Sequence, residues 1–357
     1  MKKLLAMILT GMLTMGALSA CGSTAVVAVP PPQESTPAVT EPVPENPRET
    51  SGEPVKTGFY LGTSVSGSKS AADGEDGIGQ ADIDLVAVTV TDDGVIDSCV
   101  IDSIQSKVTF DAAGTITADL TVPVPTKNEL GSDYGMGKYS PIGKEWNEQA
   151  RALADYVVGK PVEEIQGIAV TEEGKAADAD LAASVTVTIA GYLDAIQQAV
   201  ANATHLGARQ GDRLVLTTST NIADSKNAAA DADGLAQTYA TVAAVTMNGD
   251  VITSCYIDAV QAKVNFCTAG VITTDLTAAQ PSKNQLGDDY GMRKASSIGK
   301  EWYEQAAAFC TYVTGKTLDQ VAGIAVNEKG AAADADLAAS VTLSLGEFQN
   351  LIAKAGA

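Results

Sequence analysis

The chain has 357 residues, 45% of them hydrophobic and 5% aromatic, with 23 Lys+Arg against 44 Asp+Glu and a formal net charge of −21. The hydrophobic share is enough for packed cores, and the length is that of about two domains. The acidic balance argues against nucleic acid, which is bound by Lys and Arg neutralising phosphates, and the single histidine, His205, excludes Ser-His-Asp or Cys-His catalysis in each domain and any multi-histidine metal site.

Residues 1–21 place Lys2 and Lys3 ahead of an apolar run that ends Leu18-Ser19-Ala20-Cys21. Such a stretch is a secretory signal, outside the fold. Its end resembles a bacterial lipobox, so Cys21 is expected to be lipidated and to become the mature N-terminus. Acyl chains there would hold the protein on a membrane, each buried CH2 adding about 0.8 kcal/mol. Residues 22–56 hold eight of the 13 prolines, among Thr, Glu and Val. That composition favours extended polyproline conformations and reads as a disordered stalk.

The remainder is a tandem duplication. Lys127 to Met136 recurs as Lys283 to Met292, Ile142 to Trp146 as Ile298 to Trp302, and Asp178 to Thr186 as Asp334 to Thr342, at a constant offset of 156 residues. A period that long means tandem domains and not a solenoid. The copies are placed at 57–203 and 212–356, joined by a linker at 204–211.

Within a copy, strands come first. Leu85 to Val90 and Val95 to Ile101 are β-rich runs around Asp92-Asp93-Gly94, a hairpin signal. Ile116 to Val122 is expected to add a strand. Lys144 to Val158 has apolar residues at helical spacing, with Trp146, Ala150, Leu153, Ala154 and Val157 on one face. Thr186-Val187-Thr188 reads as a strand end before a helix from about Ala190 to Ala203. Segregated strands and helices predict α+β domains, each a small antiparallel or mixed sheet packed with helices.

Cys99 and Cys255 are equivalent strand positions and read as small core residues, and Cys310 lies on the apolar face of a helix. Secretion would also permit a Cys267–Cys310 disulfide, both residues being peculiar to copy two. No CxxC is present. Cations in register across an acidic chain are informative. Lys127, Lys138 and Lys144, with Lys283, Lys294 and Lys300, bracket a Gly-rich segment holding Tyr134 or Tyr290. Trp146 and Trp302, the two tryptophans of the chain, follow closely. Glycines let backbone N–H groups approach a ligand, lysines attract an anion, and aromatics offer faces to a ring. Core packing of the tryptophans is the competing reading.

Over most of its length each copy resembles the FMN-binding domain of extracytoplasmic flavoproteins of the Rnf/Nqr subunit type. It is closer still to FMN-binding lipoproteins of Gram-positive extracellular electron transfer, which share the LGxDYGM and EW-x-x-QA segments. The resemblance implies FMN as cofactor, esterified through its phosphate to a threonine by a separate flavin transferase. Asp180 and Thr186, with Asp336 and Thr342, fall at the family's Asp and Thr positions. Ser184 and Ser340 stand inside the motif. Where the family has Ser/Thr-Gly-Ala, this chain has Ala183-Ser184-Val185 and Ala339-Ser340-Val341. Covalent flavin, noncovalent flavin and no flavin all stay open at this point.

The resulting expectation is a membrane-anchored lipoprotein on the outer side of the membrane. It would carry electrons through FMN in both copies, between a membrane redox donor and an extracellular acceptor. It reads as a carrier or binding protein more than a self-contained catalyst. The alternative is a surface binding or structural lipoprotein that keeps the fold without flavin.

Overall fold

The computed structural model describes residues 52–357. The leader 1–21, the lipidation position Cys21 and residues 22–51 of the Pro-rich stretch lie outside the described residues. Copy one runs β1 (Lys56–Ser64), β2 (Gly77–Val90) and β3 (Ile96–Phe110). Its helices are α1 (Lys127–Leu130), α2 (Trp146–Val157), α3 (Val162–Gln166), α4 (Ala179–Ala182) and α5 (Ala190–Ala201). Copy two repeats this as β4 (Arg213–Asn221), β5 (Gly234–Asn248), β6 (Val251–Phe266), α6 (Lys283–Leu286), α7 (Trp302–Val313), α8 (Leu318–Ala322), α9 (Ala335–Ala338) and α10 (Gly346–Lys354). The strands form two three-stranded antiparallel sheets, β1-β2-β3 and β4-β5-β6. The fold is therefore α+β in two tandem homologous units.

Helices cover the outer face of each sheet. In copy one α2 packs on β3, and α5 on β1 and β2. There Val86, Val88 and Ile101 meet Trp146, Leu153 and Ile196. In copy two α7 packs on β6, and α10 on β4 and β5. The inner faces pack against each other. Ile83, Leu85 and Ala87 of β2 share a core with Ala240, Val242 and Ala244 of β5. Successive strand residues point to opposite faces, so the odd positions of β2 face the partner copy and Val86 and Val88 face the helices. Burial on both faces explains why Leu85 to Val90 is apolar apart from Thr89, whereas Gln80, Asp82 and Asp84 alternate with buried residues before it.

Beyond this core Phe110 and Phe266 stack with centroids 3.9 Å apart and planes 1° apart. Burying each ring fully contributes about 1.5–3 kcal/mol. Gly77 and Gly234, paired with Phe110 and Phe266, leave room for the rings, which a Cβ there would overlap. The copies also exchange loop contacts reciprocally: Ala71 N donates to Gly270 O and Ala228 N to Gly114 O, both at 2.8 Å.

The copies differ in length at one turn. In copy one Thr91 to Val95 separate the paired Val90 and Ile96, with Gly94 at φ 85°. In copy two Gly249-Asp250 close a tighter hairpin between Asn248 and Val251. Equivalent residues are therefore offset by 157 before this turn, as in Gly77 and Gly234, and by 156 after it, as in Phe110 and Phe266.

The expected strand at Ile116 to Val122 is not formed. After Phe110 the chain makes a single bridge, Phe110 to Ile116. Asp111 then takes the N–H groups of Ala113 and Thr115, and Asp119 that of Thr121. Asp side chains here satisfy the backbone locally and compete with a ladder. Thr188 likewise makes only one bridge, to Lys175, before α5 begins. At the other end of the copy Val55 is fully buried, its N–H donates to Ala208 O at 3.0 Å, and Pro54 bridges Arg209. The last residues of the Pro-rich stretch are thus tied to the segment joining the copies. Among the described residues no helix is long and apolar enough to cross a membrane.

Candidate functional site

The threonine loop is built from α4 outward. Asp178 caps α4 by accepting from Asp180 N and Leu181 N, both at 3.0 Å. The exposed Asp180 carboxylate, equivalent to Asp336 on α9, takes no part in that cap. Ser184 and Val185 fold back onto Leu181 O, and Val185 is fully buried. Thr186 then meets α2. Its N–H and Oγ1 donate to Gln149 Oε1 at 2.8 and 3.1 Å, and Val187 N adds a third bond at 3.2 Å. The Gln149 amide in turn donates to Ser140 Oγ and Lys144 O, both at 3.1 Å.

Copy two repeats the arrangement. Thr342 N and Oγ1 lie 2.8 and 3.0 Å from Gln305 Oε1, and Gln305 Nε2 donates to Ser296 Oγ at 3.3 Å and Lys300 O at 3.1 Å. Gln149 and Gln305 are fully buried. The sequence alone does not single them out, although both stand in the EW-x-x-QA segment. The available signal was a polar residue on an otherwise apolar helix face, one turn after Trp146.

The residues fit a threonine-linked group. Among the described residues Asp73 is the only non-glycine with positive φ, so neither Ser184 nor Ser340 needs the glycine of the family motif. Val185 is fully buried in the outer core, and it also lines the cavity beside Thr186. Thr186 lies on the wall of a cavity of about 630 Å3 that it shares with Pro141, Lys175, Ala182, Glu172 and Glu173. Lys175 is the cation there, paired with Glu173 at 2.9 Å. At the equivalent positions copy two has Lys329 for Glu173 and Ala331 for Lys175.

The lysine–aromatic segment is arranged differently from the expectation. Lys127 Nζ lies 5.3 Å from the ring centroid of Tyr134 and 4.9 Å from that of Trp146. Lys283 Nζ lies 4.7, 5.0 and 4.8 Å from Tyr239, Tyr290 and Trp302, and donates to the Tyr239 hydroxyl at 3.0 Å. Each lysine thus occupies the aromatic faces itself, a cation–π arrangement inside the protein. Burial pulls Lys283 down to about 8, against Glu347 and Asp258, which hold its charge. Trp146 and Trp302 are core residues, edge-on to Tyr192 and Phe348 at 6.1 and 6.0 Å. The N–H groups of the Gly-rich turn go to the chain's own carboxylates: Met136 N to Glu145, Met292 and Arg293 N to Glu301. Trp146 and Gln149 both project from α2, which connects the aromatic cluster to the threonine loop.

Two buried carboxylates were also missed. Asp102 Oδ1 accepts from Ser103 N at 2.7 Å and Asn128 N at 3.1 Å. Asp258 does the same with Ala259 and Asn284, and Ser282 Oγ donates to its Oδ2 at 2.7 Å. Burial outweighs these bonds and pushes both carboxyls up to about 6. They hold the start of α1 and of α6 on the adjoining strand, and so position Lys127 and Lys283.

Beside them a groove runs between β3 and α2, and its equivalent between β6 and α7, with volumes of about 790 and 470 Å3. Cys99 and Ala154 line the first, Cys255 and Cys310 the second. Cys310 Sγ sits 3.3 Å from Cys255 Sγ. This displaces the Cys267–Cys310 pairing: Cys267 lies in the turn after β6, next to Gly114 of copy one, while Cys310 is in the outer core. His205 makes an exposed pair with Asp92 at 2.9 Å. Among the described residues no cluster of His, Cys, Asp and Glu could hold a metal ion. Compared with family models, with curated proteins and with solved structures, the chain matches none.

Proposed function

We propose that the chain is a lipid-anchored extracytoplasmic electron carrier that holds FMN in each copy, on Thr186 and on Thr342, with Cys21 as the membrane anchor. One observation supports this reading above the rest: both threonine hydroxyls are set in the same frame by a fully buried glutamine. When bound, FMN would supply the electron-carrying chemistry.

The chain's own residues would hold and orient it. Esterification removes the Thr186 hydroxyl proton, yet Gln149 Oε1 keeps the N–H groups of Thr186 and Val187, so the loop stays anchored. In copy one Lys175, on the wall of the cavity beside Thr186, would offer positive charge near the phosphate. A flavin transferase would load the chain, and a membrane redox donor and an extracellular acceptor would be its partners.

The test is to co-express the chain with a flavin transferase and view a denaturing gel under ultraviolet light. A fluorescent band is expected, about half as bright in Thr186→Val or Thr342→Val and absent in the double variant. Fluorescence unchanged in the double variant contradicts attachment at these threonines. A second reading, a binding or structural lipoprotein without flavin, is favoured by one observation: Glu172 and Glu173 line the cavity beside Thr186, where a phosphate would be repelled. A loaded control protein beside a dark wild-type chain would select it.

A further inference from the structure

Cys255 and Cys310 form a thiol pair that copy one does not have. Cys255 stands on β6 and Cys310 on α7, both nearly excluded from solvent, with their sulfurs 3.3 Å apart. A disulfide needs about 2.05 Å between sulfurs. Closing the gap takes a small side-chain adjustment on two elements already packed together. The equivalent residues of copy one are Cys99 and Ala154, so its thiol faces a methyl group.

We propose that Cys255 and Cys310 are a modification site, closing to a disulfide that staples β6 to α7 in copy two alone. A cavity of about 470 Å3, which Tyr256, Asn284 and His205 also line, adjoins both residues, so exchange with an oxidant needs only local opening beside it. The co-reactant is a disulfide-bearing oxidant such as oxidised glutathione. One cysteine, as thiolate, attacks a sulfur of the oxidant and releases one thiol. The second cysteine displaces the other, so the two cysteines lose two electrons and two protons and the oxidant becomes two thiols. The hydrogen bond with the neighbouring Cys310 thiol, and burial after it, hold the Cys255 thiol well above its ordinary value. A slow-forming, persistent bond follows from that, and not a rapidly cycling dithiol. For its oxidant the proposal rests on the extracytoplasmic reading above.

The test oxidises the purified full-length chain with oxidised glutathione, then alkylates it after denaturation and maps the peptides. A Cys255–Cys310 linked peptide is expected, with those two residues alkylated at least tenfold less than Cys99 and Cys267 until reductant is added. The melting temperature should fall on reduction by roughly 5–10 °C, since the bond closes a long loop. Cys310→Ala, which copies the residue of copy one, should abolish that difference, and Cys267→Ala should leave it. Full alkylation of all four residues in the supplied oxidant, or a link through Cys99 or Cys267, would overturn the pair. If the link forms in the supplied oxidant but protein from cells is reduced, the pair stands and the extracytoplasmic reading falls.

Discussion

Copy one and copy two are the same fold carrying different chemistry, and their differences sort the residues by what they do. The frame around the threonine is repeated almost bond for bond: Thr186 on Gln149 and Thr342 on Gln305, each amide reaching back to the lysine carbonyl before its helix. The surroundings have diverged. Lys283 gains Tyr239 as a third aromatic neighbour where copy one has Asp82, and Cys255 gains Cys310 where Cys99 faces Ala154. Duplication has therefore kept the loop that presents a hydroxyl while changing the groove behind it.

The strongest way to break the comparison is to remove what both copies share. Phe266→Ala takes one ring from the Phe110–Phe266 stack and should destabilise the chain by about 3–5 kcal/mol. A two-step denaturant transition in that variant would show that the copies, once uncoupled, unfold separately. Next, Gln149→Leu strands two half-buried N–H groups and the hydroxyl of Thr186 and should cost about 1–3 kcal/mol. Gln305→Leu should cost a similar amount in urea titrations. A large inequality would show that the two frames are not equivalent.

The buried carboxylates sharpen the comparison by pH. Asp102 and Asp258 have folded values raised to about 6 from an ordinary 3.8. A raised group contributes stability that is complete below its unfolded value and is lost as pH rises through its folded one. Stability should thus fall between about pH 4 and pH 6, by up to about 3 kcal/mol per group. Asp102→Asn and Asp258→Asn should each remove an equal share of that slope. Lys283 behaves in the opposite way and in copy two alone. Its folded value of about 8 lies below its ordinary 10.5. Its contribution is present above 10.5 and is lost as pH falls through 8, so stability should rise between these limits by up to about 3 kcal/mol. Urea midpoints of Lys283→Met measured from pH 7 to pH 10 should not show that rise.

The sequence displays those features that are local or repeated. The Asp92-Asp93-Gly94 turn, the apolar face of α2 and the duplicated segments are all short-range patterns, and the α+β arrangement follows from them. Long-range pairings are not written in any window of residues. Gln149 meets Thr186 across 37 positions, and Phe110 meets Phe266 only once the two sheets have packed. Ile116 to Val122 has strand composition, but Asp111 just before it and Asp119 within it take the backbone N–H groups of Thr115 and Thr121. The lysine–aromatic segment shows the same limit at the candidate site. Its residue types suit a ligand, yet three-dimensional packing sets each lysine on its own aromatic neighbours.

Peptide mass mapping of the chain co-expressed with a flavin transferase reads attachment at both threonines in one experiment. The account predicts an FMN-sized mass increment on the peptides containing Thr186 and Thr342 and on no others. Both peptides unmodified, in cells where a control flavoprotein is loaded, would contradict it.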